Sequence, residues 1–143
     1  MSFSEMIAPL VGRWMLAWFF FNQTIYYSHG WSSTIADMRA QGAPVAPLIL
    51  ALALLLIVMG AISLALGFHA RHGALLLFTV TIIATFLLHG FWRLSDAGLR
   101  LEDQQIFARN IAICGGLLAM VGLGAGPLSF DNRAGGGKPK GKK

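Results

Sequence analysis

The sequence predicts an all-α integral membrane protein, a four-helix bundle with its N-terminus and C-terminus both cytoplasmic, and three observations predict it. Of 143 residues, 56% are hydrophobic and 12% are charged, whereas a soluble domain carries roughly 25% charged residues. The apolar residues gather in four blocks that meet or approach the length separating a membrane span from a buried core helix, roughly 18 residues. The basic residues are shared unequally between the loops those blocks leave, and cytoplasmic loops retain the excess of Lys and Arg.

The first span is predicted over about 7–27. It is rich in Trp and Phe, carries Arg13 near its start and Asn22 and Gln23 near its end, and closes in the aromatic cluster Tyr26, Tyr27 and Trp31, as expected where a helix leaves hydrocarbon for the headgroups. In the polar stretch 28–46, Ser32, Ser33 and Thr34 with Asp37 are read as the cap of a short amphipathic helix. That helix carries Ile35 and Met38 and ends at Gly42, long enough to lie on the membrane surface or to fold back as a lid.

Pro47 opens the second span, about 47–68, in the first helical turn where proline is best tolerated. The link His69-Ala70-Arg71-His72 makes the second and third spans antiparallel neighbours. The third span covers about 73–92, and its Thr79, Thr81 and Thr85 are expected to return hydroxyl hydrogen bonds to their own helix. Residues 93–109 are polar with nearly balanced charge and read as a second exposed loop. The fourth span, about 110–128, holds Gly115, Gly116, Gly122, Gly124 and Gly126, small residues that let helices approach closely in lipid. Residues 1–131 form the membrane domain on this reading. The Gly- and Lys-rich tail 132–143 is expected to be disordered.

Four spans place Arg13, Arg71, Arg133 and four lysines on one face, seven in all, and Arg39, Arg93, Arg100 and Arg109, four in all, on the other. The formal charge of +5 comes mostly from Lys138, Lys140, Lys142 and Lys143 with no interleaved aromatics, so the expected partner is the anionic bilayer surface and not nucleic acid. Cys114 is the one cysteine and lies within an apolar block, which leaves no intrachain disulfide or thiolate cluster. The first apolar block lacks the pattern of a cleaved signal peptide and is read as a retained anchor.

Antiparallel order brings the costly polar residues to one depth. Asn22 and Gln23 end the first span, His89 lies late in the third with Trp92 and Arg93 one turn further, and Asn110 begins the fourth. Ionisable groups within a span usually face the bundle interior, so these six residues form a candidate ligand-binding cavity open to the outer leaflet. Plainer readings stand beside it: interhelical hydrogen bonds for Asn22, Gln23 and His89, an N-cap for Asn110, and interfacial anchors for Trp92 and Arg93. His69 and His72 lie on the opposite face from His89, which leaves no pair of mid-membrane axial haem ligands, and no metal site is predicted. No phosphate loop or nucleophile triad is present.

The motifs, in order, resemble the DoxX family of small four-helix bacterial membrane proteins. They are Gly12-Arg13, Gly42-Ala43-Pro44, Gly67-Phe68-His69-Ala70-Arg71, the segment 84–92 ending in His89-Gly90-Phe91-Trp92, the segment 105–116 with Phe107, Asn110 and Gly115-Gly116, and the segment 124–131 ending in Asp131. The resemblance implies an inner-membrane subunit associated with redox chemistry, with quinone as the implied cofactor, no intrinsic one, and a larger membrane redox complex as the implied partner. It carries Arg13, His89, Trp92 and Asn110 over as family-like positions. Two departures weigh against independent quinone chemistry: Ile57 stands where the family often has a glutamate, and Thr24-Ile25-Tyr26-Tyr27 where it often has a lysine. Two roles remain open. In one, His89 and Asn110 donate to a ring oxygen and Trp92 stacks; in the other, a non-catalytic accessory subunit packs through Trp14, Trp18, Phe19 and Phe21. Solute transport is disfavoured by the lack of an intramembrane acid.

Overall fold

The computed structural model describes residues 2–134. Those residues form α1 (Phe3–His29), α2 (Trp31–Ala40), α3 (Ala46–Leu66), α4 (Ala70–Leu88), a 3₁₀ turn (Phe91–Arg93), α5 (Ala97–Leu123) and α6 (Phe130–Ala134), with no strand among them. Helix α3, helix α4 with its following turn, and helix α5 are long and apolar enough to cross a membrane. Neighbours pack in the order α1 on α3, α3 on α4 and α4 on α5. The gap between α1 and α5 is closed by side chains: Ala17 and Phe20 share one apolar core with Leu64, Leu77 and Leu117.

Helix α3 begins with proline in its first turn, as expected, and stops at Gly67, whose φ of 68° is the left-handed conformation that glycine adopts without strain. The link to α4 is shorter than the sequence suggests, because Ala70, Arg71 and His72 are already helical. The start of α4 is capped from far along the chain. Asp131 accepts the backbone N–H of His69 at 2.6 Å and of Ala70 at 2.9 Å, so a carboxylate meets the positive end of the helix.

Several boundaries differ from expectation. Helix α1 starts four residues early and runs two past Tyr27. The N-cap of α2 is Gly30, not the Ser-Ser-Thr run, whose Ser33 hydroxyl donates back to the Gly30 carbonyl instead. The helix does fold back: Ile35 and Met38 are buried against Ala46, Leu50 and Leu54 of α3. Helix α4 ends at Leu88 and not at Trp92, since His89 leaves helical geometry at φ −109°, ψ 59° just before Gly90.

The largest correction concerns 93–109, which is not a loop. Asp96 caps α5 by accepting the Leu99 N–H at 2.9 Å, and the helix runs unbroken from Ala97 through Leu123. Balanced charge imitates a loop, yet Leu, Arg, Glu, Gln and Ala are good helix formers whose polar side chains suit an exposed face. Asn110 therefore lies in mid-helix and caps nothing. The same helix stops at Leu123, short of 128, because Gly124 (φ 87°) and Gly126 (φ 82°) turn the chain across the end of the bundle. Of the tail expected to be disordered, 132–134 belong to α6 and 135–143 lie outside the described residues.

The glycines of α5 do not mediate close helix approach. A Cβ at Gly115 or Gly122 would meet open space, and one at Gly116 only Leu16 at ordinary contact distance. The tight crossing is α3 on α4, where a Cβ at Gly60 would lie 2.6 Å from Leu77 Cγ and one at Gly73 would strike Ser63. Leu77 is fully buried, so it has no free volume to retreat into. Gly60→Ala is expected to cost about 1–3 kcal/mol by overpacking, seen as a lower melting temperature in detergent, whereas Gly122→Ala leaves that temperature unchanged.

Candidate functional site

At the end of the bundle where α1 stops and α3 starts, the C-terminus of α1, one face of α2, the end of α4 and the first half of α5 border a half-open cavity of about 1200 Å³. Each wall has a local cause. Tyr26, Tyr27 and His29 end α1; Ser33, Thr34 and Asp37 lie on the polar face of α2, away from buried Ile35 and Met38, with Gln41 capping its end; and the break at His89-Gly90 turns the chain so that His89 and Arg93 face the same space. Helix α5 contributes Asp103, Ile106 and Arg109.

The strongest interaction in this wall joins α4 to α5: His89 Nδ1 lies 2.7 Å from Asp103 Oδ1, both side chains being mostly buried. It is the one contact between an acidic and a basic side chain within salt-bridge distance among the described residues. Arg93 and Arg109 line the cavity with no carboxylate in salt-bridge range among the described residues; the Arg109 guanidinium lies 5.5 Å from the Phe19 ring centroid, a cation–π contact. Below this rung, Asn110 Nδ2 donates to Thr85 Oγ1 at 3.0 Å, and that hydroxyl donates to the Thr81 carbonyl at 2.7 Å. Thr79 likewise bonds its own helix at the Leu75 carbonyl, 2.9 Å away. The buried Thr81 hydroxyl and Asn110 Oδ1 have no partner among the described residues.

Of the six residues read from the sequence, four line the cavity: Asn22, Gln23, His89 and Arg93. Asn22 is partly occupied, donating to the Trp18 carbonyl at 2.9 Å. Asn110 is buried beneath the cavity and does not line it. Trp92 is 47% exposed and belongs to an edge-to-face group with Phe91 and Phe107 outside the cavity. Asp103 and Arg109 were hidden by reading 93–109 as a loop. On a helix, Asp103, Ile106 and Asn110 stand at i, i+3 and i+7, one face, and that spacing would have found them.

Antiparallel apolar helices around a polar cavity at one end define a small helical membrane protein with a ligand-sized site. The chain belongs to the DoxX family, whose profile matches residues 8–90, and it is a multi-pass protein of the bacterial inner membrane. It is similar to inner membrane protein YphA of Escherichia coli (strain K12), with 30% identity over 104 residues, 73% of this chain and 74% of the relative. No solved structure matches it. The family match takes in Arg13, all of α2 and His89 but ends before Asp103, Arg109 and Asn110. Ile57 packs against both apolar clusters.

The donor set differs from expectation. Asn110 is spent on Thr85, and His89 already donates or shares a proton at Nδ1 with Asp103, which leaves Nε2 as its free atom. Arg93, Arg109, Gln23 and the tyrosines supply further polar contacts, and Ile25, Leu88 and Ile106 supply apolar wall.

Proposed function

We propose that the chain crosses the membrane four times with both ends cytoplasmic, and that its cavity binds an amphipathic ring compound of the quinone type beside a larger membrane redox complex. The observation that carries this is the His89–Asp103 pair set in the cavity wall with Arg93 and Arg109. Such a grouping at a membrane-protein cavity marks a ligand or proton site by default. A bound quinone would supply the electron chemistry, while this chain's residues hold the ring oxygens and shield them from bulk water.

Helix α1 as the fourth crossing is supported by its 27 residues, roughly 40 Å at the α-helical rise, and by its antiparallel packing on α3. Val11, Trp14, Met15, Trp18 and Ile25 project outward as lipid-facing side chains do, while its buried Arg13 points inward. The seven-to-four division of basic residues supports the orientation.

A second reading, the accessory subunit, is favoured by the exposed Trp14, Trp18 and Phe21, but not by Phe19, which packs inward under Arg109. Gentle detergent extraction followed by mass spectrometry of copurifying lipids and proteins separates the two. A stoichiometric quinone-type lipid supports the first. A protein partner recovered from membranes without such a lipid overturns it in favour of the second.

A further inference from the structure

We propose that Asp103 sets the hydrogen-bonding polarity of the cavity, so that it prefers a ring bearing a free hydroxyl, a phenol or hydroquinol, over the carbonyl or ether form of the same ring. This rests on the reading that the cavity takes a ring compound. It adds which oxygen chemistry is selected, and it names the positioning residue responsible.

The argument is one of donors and acceptors. An ionised carboxylate can only accept, so the 2.7 Å contact requires the hydrogen to sit on His89 Nδ1. In the neutral imidazole only one ring nitrogen carries hydrogen, which makes Nε2 a lone-pair acceptor. The ring makes no other hydrogen bond among the described residues, and His89 lines the cavity. A ring carbonyl or ether oxygen brought to Nε2 sets lone pair against lone pair. A ring hydroxyl donates into it. The sequence-based expectation that His89 donates to a ring oxygen is thereby reversed for the neutral side chain.

The carboxylate is not a chance neighbour, because a second rung fixes the register of the two helices. His89 follows Thr85 by one turn of α4, Asp103 precedes Asn110 by two turns of α5, and Asn110 is bound to Thr85 beneath the pair. Sliding either helix would break both rungs. The other charged or titratable groups facing the cavity are Asp37, His29, Tyr26, Tyr27, Arg93 and Arg109. The two arginines can donate to a second ring oxygen, so the preference concerns the oxygen that meets His89.

The test uses the full-length chain in lipid nanodiscs at a pH where nitrogen NMR shows the His89 ring to be neutral. Its probes are an alkyl-substituted phenol, the methyl ether of that phenol, and the corresponding quinone. The wild type is expected to bind the phenol about tenfold more tightly than the ether, as one hydrogen bond gained or lost can produce. Asp103→Asn can donate its amide N–H to Nδ1 and move the ring hydrogen to Nε2, so the phenol-to-ether ratio should fall to about one or invert. Asp103→Glu should restore part of the preference. A purely structural role for Asp103 would weaken all probes together and leave the ratio unchanged, which overturns the proposal.

Nitrogen NMR of the wild type, with His89 assigned by the signal lost in His89→Gln, provides a reading that needs no Asp103 variant. Hydrogen on Nδ1 is the expected result, and hydrogen on Nε2 overturns the proposal. Failure of every ring probe to bind overturns the cavity reading and this proposal with it. Binding with no phenol preference overturns this proposal alone.

Discussion

Arg13→Ala is expected to destabilise the protein by on the order of 3 kcal/mol and to free the segment 124–134 to protease. Arg13 is 1% exposed. Its guanidinium donates to the Ala125 carbonyl at 3.1 Å and to the Leu128 carbonyl at 2.8 Å, fastening the chain after α5 to the start of α1. Each carbonyl orphaned in a buried setting costs about 1–3 kcal/mol, and the truncated side chain leaves a void as well.

The fastening closes a ring. Asp131 N–H donates to the Gly67 carbonyl at 3.0 Å, its carboxylate caps α4, and the space in which Gly67 would carry a Cβ is filled by the Arg13 side chain. Loosening Arg13 therefore also weakens the α4 cap. Arg13→Lys should recover only part of the loss, because a single ammonium cannot reproduce the planar fork that spans two carbonyls. Thermal unfolding in detergent and limited proteolysis check this. A melting temperature equal to wild type in Arg13→Ala would show that the C-terminal segment is held by something else.

The second large effect is functional: His89→Ala is expected to weaken binding of a hydroxyl-bearing ring at least about tenfold, with the helix content unchanged. The loss has two sources. The acceptor nitrogen disappears, and Asp103 is left as an uncompensated carboxylate in the wall, where a charged group's hydrogen bond is worth about 1.5–3 kcal/mol. The fold should survive, since the Asn110–Thr85 rung is independent of His89. Equilibrium binding of the phenol in nanodiscs, with circular dichroism as the control, measures it. Undiminished affinity would remove His89 from the site.

Much of the fold was legible because a membrane helix writes its identity in length and apolar content. The third and fourth helices of the chain, α3 and α4, lie close to where hydrophobic runs place them, and Pro47 and Gly67 mark the ends of α3. Loop 93–109 was misread because Arg100, Glu102 and Asp103 look like solvated loop residues. They instead occupy a helix whose Asp96 cap is only three residues past Arg93. That error hid Asp103, and with it the partner of His89, although His89 itself was identified.

By itself the sequence determined the all-helical membrane architecture, the family and the concentration of costly polar residues at one end of the bundle. The architecture and the polar end follow from composition and spacing, which are local; the family follows from the resemblance of ordered motifs, which the profile match over 8–90 bears out. The tertiary structure alone decided which polar groups meet: that Asp103 and not Asn110 joins His89 in the wall, that Asn110 goes to Thr85, and that Arg13 goes to the carbonyls beyond α5. Those pairings depend on the rotation and register of α4 against α5 and of α1 against the chain's end. Rotation and register are set by side-chain packing between segments 14 to 115 residues apart, which no local pattern encodes.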